Sequence, residues 1–182
     1  MKRILIFIFA LGVISTASAT TVDLTCGGSS DVQVAAAGDT ITVDLTLDFA
    51  STGIYQIDFV TDGMVSIDAV GAWLAPMDTY GSVAGADFDG TLESNGIFDA
   101  YGETLDGATE VAAGTAIYRF EATVTGEGTI APQMGPNDYS FTLSGGYSGD
   151  ELTMNGMNVS VIPEPVTVVL LGLGALALSK RR

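Results

Sequence analysis

The 182-residue chain holds twenty-two Asp and Glu, six Lys and Arg and no histidine, for a formal net charge of −16. Five of the six basic residues lie within three positions of an end, so residues 20–162 carry one arginine against twenty-one acids, a net charge of −20. Phosphate contacts depend on Lys and Arg, which excludes nucleic acid as a partner; without His or Lys, this stretch also lacks Ser-His and Cys-His triads, lysine nucleophiles, histidine-rich zinc sites and P-loops.

Lys2 and Arg3 precede an apolar run from Ile4 to Ile14, and Ala17 and Ala19 stand in the A-x-A arrangement that signal peptidase requires. The reading is a signal peptide over residues 1–19, cleaved after Ala19; the run is short for a membrane-spanning helix. The single Cys26 forms no internal disulfide. It lies seven residues past the cleavage point, where a lipoprotein thiol would follow at once, and reads as a buried or idle thiol.

Next come strands. From Thr40 to Phe49, Ile41, Val43, Leu45, Leu47 and Phe49 alternate with Thr42, Asp44, Thr46 and Asp48, the period of a strand with one wet face. Ala116 to Thr125 repeats this, with Tyr118, Phe120, Ala122 and Val124 facing in and Ile117, Arg119, Glu121 and Thr123 facing out. Shorter runs fit at 22–25, 54–60, 64–70, 139–143 and 157–161, and Asp62-Gly63, Asp89-Gly90, Asn95-Gly96 and Asp106-Gly107 read as turns between strands. No helical period stands out. Residues 20–161 are expected to form one all-β domain, an antiparallel β-sandwich of jelly-roll or immunoglobulin-like type.

Oxygen-bearing side chains crowd from Asp87 to Glu110, in loop-like, Gly-rich sequence. Asp87, Asp89, Glu93, Asn95 and Asp99 form a candidate calcium set, with Glu103 and Asp106 beyond. The EF-hand spacing is absent, and a solvated acidic loop is the competing reading. No other cofactor is implied. Paired carboxylates could in principle serve a glycosidase, but twenty-one acids offer pairs by chance. Trp73, Tyr80, Tyr101 and Tyr147 could stack on sugar faces, although Trp73 lies in an apolar run that favours the core. Asn158-Val159-Ser160 matches the N-glycosylation sequon.

Pro163-Glu164-Pro165 ends the domain, because proline lacks the N–H that strand pairing needs. Val166 to Leu178 follow without a charge, thirteen residues that as a helix reach about 20 Å, short of the roughly 30 Å hydrocarbon core. Lys180, Arg181 and Arg182 complete a tail that reads as a weak, tail-end stop-transfer segment with its cations on the cytoplasmic side.

That tail resembles the PEP-CTERM sorting signal of Gram-negative bacteria: Pro163, Glu164 and Pro165, a Gly/Leu/Ala-rich span, then a basic cluster. The resemblance implies processing by exosortase, a membrane cysteine peptidase, association with exopolysaccharide or biofilm, and transient inner-membrane anchoring before delivery to the outer surface or matrix. The middle of the chain is similar to cohesin-like domains. There a Gly-Asp turn opens a long strand, here Ala37-Gly38-Asp39-Thr40-Ile41-Thr42-Val43; Tyr55-Gln56-Ile57-Asp58-Phe59 follows, and a later strand, here Ile117 to Ala122, precedes a short element matched by Gly126-Glu127-Gly128-Thr129-Ile130. This implies a nine-stranded jelly-roll sandwich of the kind used in cellulosomes to bind dockerin modules. The leading expectation is a non-enzymatic exported surface or matrix protein. A cohesin-like module for a protein or glycan partner is the alternative, and a carboxylate-dependent glycoside hydrolase the third reading.

Overall fold

The alternation read from Thr40 onward is realised in a computed structural model that describes residues 20–51, 54–75, 77–79, 89–104, 109–134 and 152–162. Eleven strands run through these residues: β1 (Thr20–Thr25), β2 (Asp31–Val34), β3 (Asp39–Leu47), β4 (Ile54–Ile67), β5 (Ala72–Trp73), β6 (Met77–Thr79), β7 (Thr91–Glu93), β8 (Gly96–Thr104), β9 (Ala116–Met134), β10 (Leu152–Asn155) and β11 (Met157–Val161). In β3, Ile41, Val43, Leu45 and Leu47 are buried while Thr42 is exposed. Asp39 opens that strand as the Gly-Asp turn implied, its Oδ2 accepting the Ala36 N–H at 2.9 Å.

Two long strands, β4 and β9, tie the layers together. The first part of β9, Ala116 to Val124, pairs with β3, and β3 continues through β1 to β10. Its second part pairs with β11 at Gly128 to Ile130, and β11 continues to β2. Along its other edge β9 pairs with β4, whose first half also pairs with β8. The layers meet through aromatic rings: Phe59 of β4 stacks on Tyr118 of β9, with centroids 5.0 Å apart and planes 10° apart, and touches Phe120 at 4.9 Å. Trp73 meets Tyr118 edge-on at 4.9 Å. Around them lie Val22, Leu24, Val43, Leu45, Ile57, Ile97 and Ile130, all shut off from water. Each such aliphatic side chain contributes roughly 1.5–3 kcal/mol by leaving solvent.

The Tyr118 hydroxyl is inside this core, donating to the Asp89 carbonyl at 2.6 Å and accepting the Gly71 N–H at 3.0 Å. Burial pushes its pKa up, so it stays neutral throughout the physiological range.

The structure corrects the sequence reading in several places. The sandwich is not antiparallel throughout, since β1–β10 and β2–β11 are parallel pairs; a period of two fixes faces, not directions. Asp62-Gly63 does not separate two strands. β4 runs through it, and a bulge between Gly63 and Val65 bends the strand where Gly63 (φ +79°) passes the β9 backbone. The supposed acidic loop holds β7 and β8, a hairpin pairing Glu93 with Gly96 around Ser94 and Asn95. Ile117, assigned to the wet face, is fully buried, and Gly126 to Ile130 lie within β9 rather than forming an element of their own. Cys26 is half-buried against the core, its N–H bonded to the Ser29 carbonyl at 2.9 Å. The strand expected at 139–143, the Asp106-Gly107 turn and the C-terminal helix lie outside the described residues.

Candidate functional site

Where β4 and β9 bend, four strands lie side by side with their outward side chains in one row. The registers pair Asp31 of β2 with Asn158 of β11, Asn158 with Thr129 of β9, and Thr129 with Asp62 of β4. All four are exposed, because the alternate positions, such as Val159 and Ile130, point into the core. Three inter-strand steps separate the acids at the ends of the row, roughly 14 Å. Gln33 and Ser160 form the next pair along the strands, and Glu127 joins from the bend in β9. Together these residues line an open groove of about 870 Å³, with Gly63 and Gly128 in its wall.

The groove is chemically one-sided. It offers three carboxylates, two carboxamides and hydroxyls, and among the described residues no cation and no aromatic ring lines it. Asn158 Nδ2 donates to Asp31 Oδ1 at 2.9 Å, which fixes one end of the row. The domain's one arginine is elsewhere: Arg119 grips Asp44 through Nε at 2.6 Å and a second nitrogen at 2.9 Å on the outer face of the other layer. The exposed acids of the groove therefore present an uncompensated negative field to any approaching surface, which favours a cationic, hydrogen-bonding partner. Asn158, the sequon asparagine, stands in the middle of this surface.

The candidate calcium residues are dispersed. Asp89 precedes β7 and is half-buried, Glu93 and Asn95 are exposed at the hairpin end, and the Asn95 carbonyl accepts the Thr61 N–H at 2.8 Å. Asp99 sits in the middle of β8, and Asp87 lies outside the described residues. Among the described residues no three His, Cys, Asp or Glu side chains converge as a metal-binding group. Asp99 instead meets two residues of the Tyr55 to Phe59 segment, which the sequence reading did not place in any site. Gln56 Nε2 donates to Asp99 Oδ1 at 3.0 Å, and the Asp99 N–H donates to Asp58 Oδ1 at 2.8 Å. Burial pushes the Asp58 carboxyl up; the Asp99 N–H opposes this, and the charges of Asp99 and Glu93 add to it.

Of the aromatics weighed as a sugar platform, Trp73 is in the core and Tyr101 is half-buried. Tyr80, Tyr147, the cleavage residues Ala17 and Ala19 and the sorting residues Pro163, Glu164 and Pro165 lie outside the described residues. The groove was missed because its parts are scattered at 31–33, 62–63, 127–129 and 158–160, and only strand register assembles them.

Neither a protein-family model nor a curated protein matches the chain. Among solved structures it is similar to a non-cellulosomal cohesin from the hyperthermophilic archaeon Archaeoglobus fulgidus, at 12% identity and a TM-score of 0.50, covering 82% of this chain and 96% of that one. A type III cohesin module from the cellulosomal ScaE cell-surface anchoring scaffoldin of Ruminococcus flavefaciens is also similar, at 11% identity and a TM-score of 0.48, covering 85% of this chain and 93% of that one. The likeness to the archaeal module establishes the fold, a jelly-roll β-sandwich of cohesin type, and a fold does not carry function with it.

Proposed function

We propose that this domain is a non-catalytic binding module that holds a protein partner, docking a basic surface of that partner into the acid-lined groove. The observation that carries the reading is the row Asp31, Asn158, Thr129 and Asp62, which four strands hold exposed on a rigid face with Glu127 beside it. The cohesin fold supports it as a scaffold for presenting such a face. In this reading the chain works outside the cytoplasm. Residues 1–19 direct export, signal peptidase cuts after Ala19, and an exosortase-type peptidase reads Pro163, Glu164 and Pro165 in the 162–182 segment while the apolar stretch sits in the inner membrane. The domain 20–161 then acts at the outer surface or in an exopolysaccharide-rich matrix.

The binding claim is tested by capturing extracellular proteins of the host on the immobilised wild-type protein and on an Asp31→Asn, Asp62→Asn, Glu127→Gln variant, with quantitative mass spectrometry. A basic partner should be retained by the wild type, weakened about tenfold or more by the variant, and released by salt, since exposed charge pairs are screened. Equal retention by both proteins would remove the groove from the reading. The sorting claim has its own check, the intact mass of the protein recovered from its host. A species beginning at Thr20 and lacking the basic tail is expected, and a mature form that keeps Lys180 to Arg182 rules out exosortase-type processing.

A further inference from the structure

Gln56 and Asp58 alternate with the core residues Ile57 and Phe59, so their side chains leave β4 on its outer side, where water should reach them. Yet Gln56 is 1% exposed and Asp58 5%. Opposite Asp58 the β8 register shifts by one residue, and Asp99 takes φ +55°, the one non-glycine positive φ among the described residues. That bulge points the Asp99 N–H at Asp58 Oδ1 and sets the Asp99 carboxylate against the Gln56 amide. The cluster is left electrically incomplete. Gln56 Oε1 is buried with no hydrogen-bond donor among the described residues, although an acceptor out of water ordinarily has a partner. The bond from Gln56 Nε2 to Asp99 Oδ1 anchors the amide that carries this oxygen at the carboxylate pair. The single arginine is committed to Asp44, so no cation among the described residues compensates the two carboxylates.

We propose that Gln56 Oε1, Asp58 and Asp99 together hold a hard divalent cation of the calcium class, with water filling the rest of its shell. All three donors are oxygens, two of them on anionic groups, and an all-oxygen set with a carboxamide and carboxylates suits calcium rather than a softer metal. The cation supplies what the orphan carbonyl lacks and neutralises two carboxylates drawn together in a site partly removed from water. It pins β4 to β8 at the bulge. Three protein ligands place the affinity in the weak range typical of extracellular modules, about 10⁻⁴ to 10⁻³ M. Only Asp99 is shared with the set read from the sequence.

The test is calcium titration of the intact protein by calorimetry and thermal unfolding, in about 0.15 M salt to suppress diffuse binding to the acidic surface. The wild type should bind one calcium ion in that affinity range, and 10 mM calcium should raise its Tm by several degrees over chelator. Asp58→Asn keeps an acceptor for the Asp99 N–H, and Asp99→Asn keeps one for Gln56. Each should unfold cooperatively in chelator, lose at least tenfold in calcium affinity and lose the Tm shift. A wild type with no calcium-dependent shift overturns the proposal, as does a shift that persists undiminished in both variants, which places calcium elsewhere. A rise in Tm on Asp58→Asn, with no response to calcium in the wild type, means that the cluster is completed by a proton or water instead.

Discussion

Tyr118→Ala should cost the domain about 4 kcal/mol in urea unfolding, a large part of the 5–15 kcal/mol that holds a typical domain folded. The ring is fully buried, stacked on Phe59 from the opposite layer and edge-on to Trp73, so removing it opens a void at the point where the layers meet. The hydroxyl has its own share. Tyr118→Phe keeps the ring but deletes the bonds to the Asp89 carbonyl and the Gly71 N–H, for an expected loss of about 1–3 kcal/mol. The two variants form an ordered series, and a Tyr118→Ala protein that loses under about 1 kcal/mol would mean that this ring cluster does not join the layers.

The second large effect is expected at the bend, where the same chemical change can be made in two environments. Gly63 and Gly114 share φ +79°, but a Cβ on Gly114 meets nothing within 4 Å, whereas on Gly63 it lies 2.6 Å from the Glu127 carbonyl oxygen and 2.8 Å from Gly128 Cα. Gly114→Ala should therefore show the left-handed conformational cost alone, about 1 kcal/mol. Gly63→Ala adds a backbone collision that only a parting of β4 and β9 relieves, an overpacking cost of about 1–3 kcal/mol more. Paired urea melts measure the difference. Equal losses would show that the strands do not approach closely at the bend, and the groove shaped there would lose its structural basis.

Much of the sandwich was legible where one face is dry and the other wet. Ile41 to Leu47 and Tyr118 to Val124 show their core positions by period alone, and Trp73, from its apolar neighbours, was readable as core. Legibility ended where tertiary context overrode the local signal. Asp62-Gly63 has the composition of a hairpin turn, but the same positive φ serves a bulge inside a long strand. Glycines and acids from 87 to 110 have low strand propensity, yet β8 is paired on one side by β4 and on the other by β6 and β7, and that pairing decides its state. The burial of Gln56 and Asp58 was not legible, since alternation says which side a side chain leaves by and nothing about what covers it. The site residues follow the same logic. The row from Asp31 to Asp62 exists only through registers joining segments up to about 130 positions apart in the chain, and no local spacing encodes those.

The parallel pairings also order events in time. Asn155 bonds to Asp23 across 132 residues and Asn158 to Asp31 across 127, so β1 and β2 are synthesised first but receive these neighbours last. Loop closure over such spans precedes any reward from the contacts, which makes late assembly slow relative to local hairpins such as β7–β8. Until β10 and β11 emerge, the opening strands carry bare, sticky margins apt to recruit another molecule. A nascent chain cut off before Leu152 is thus an aggregation hazard, and nearly all of residues 20–161 must be made before the domain can seal itself.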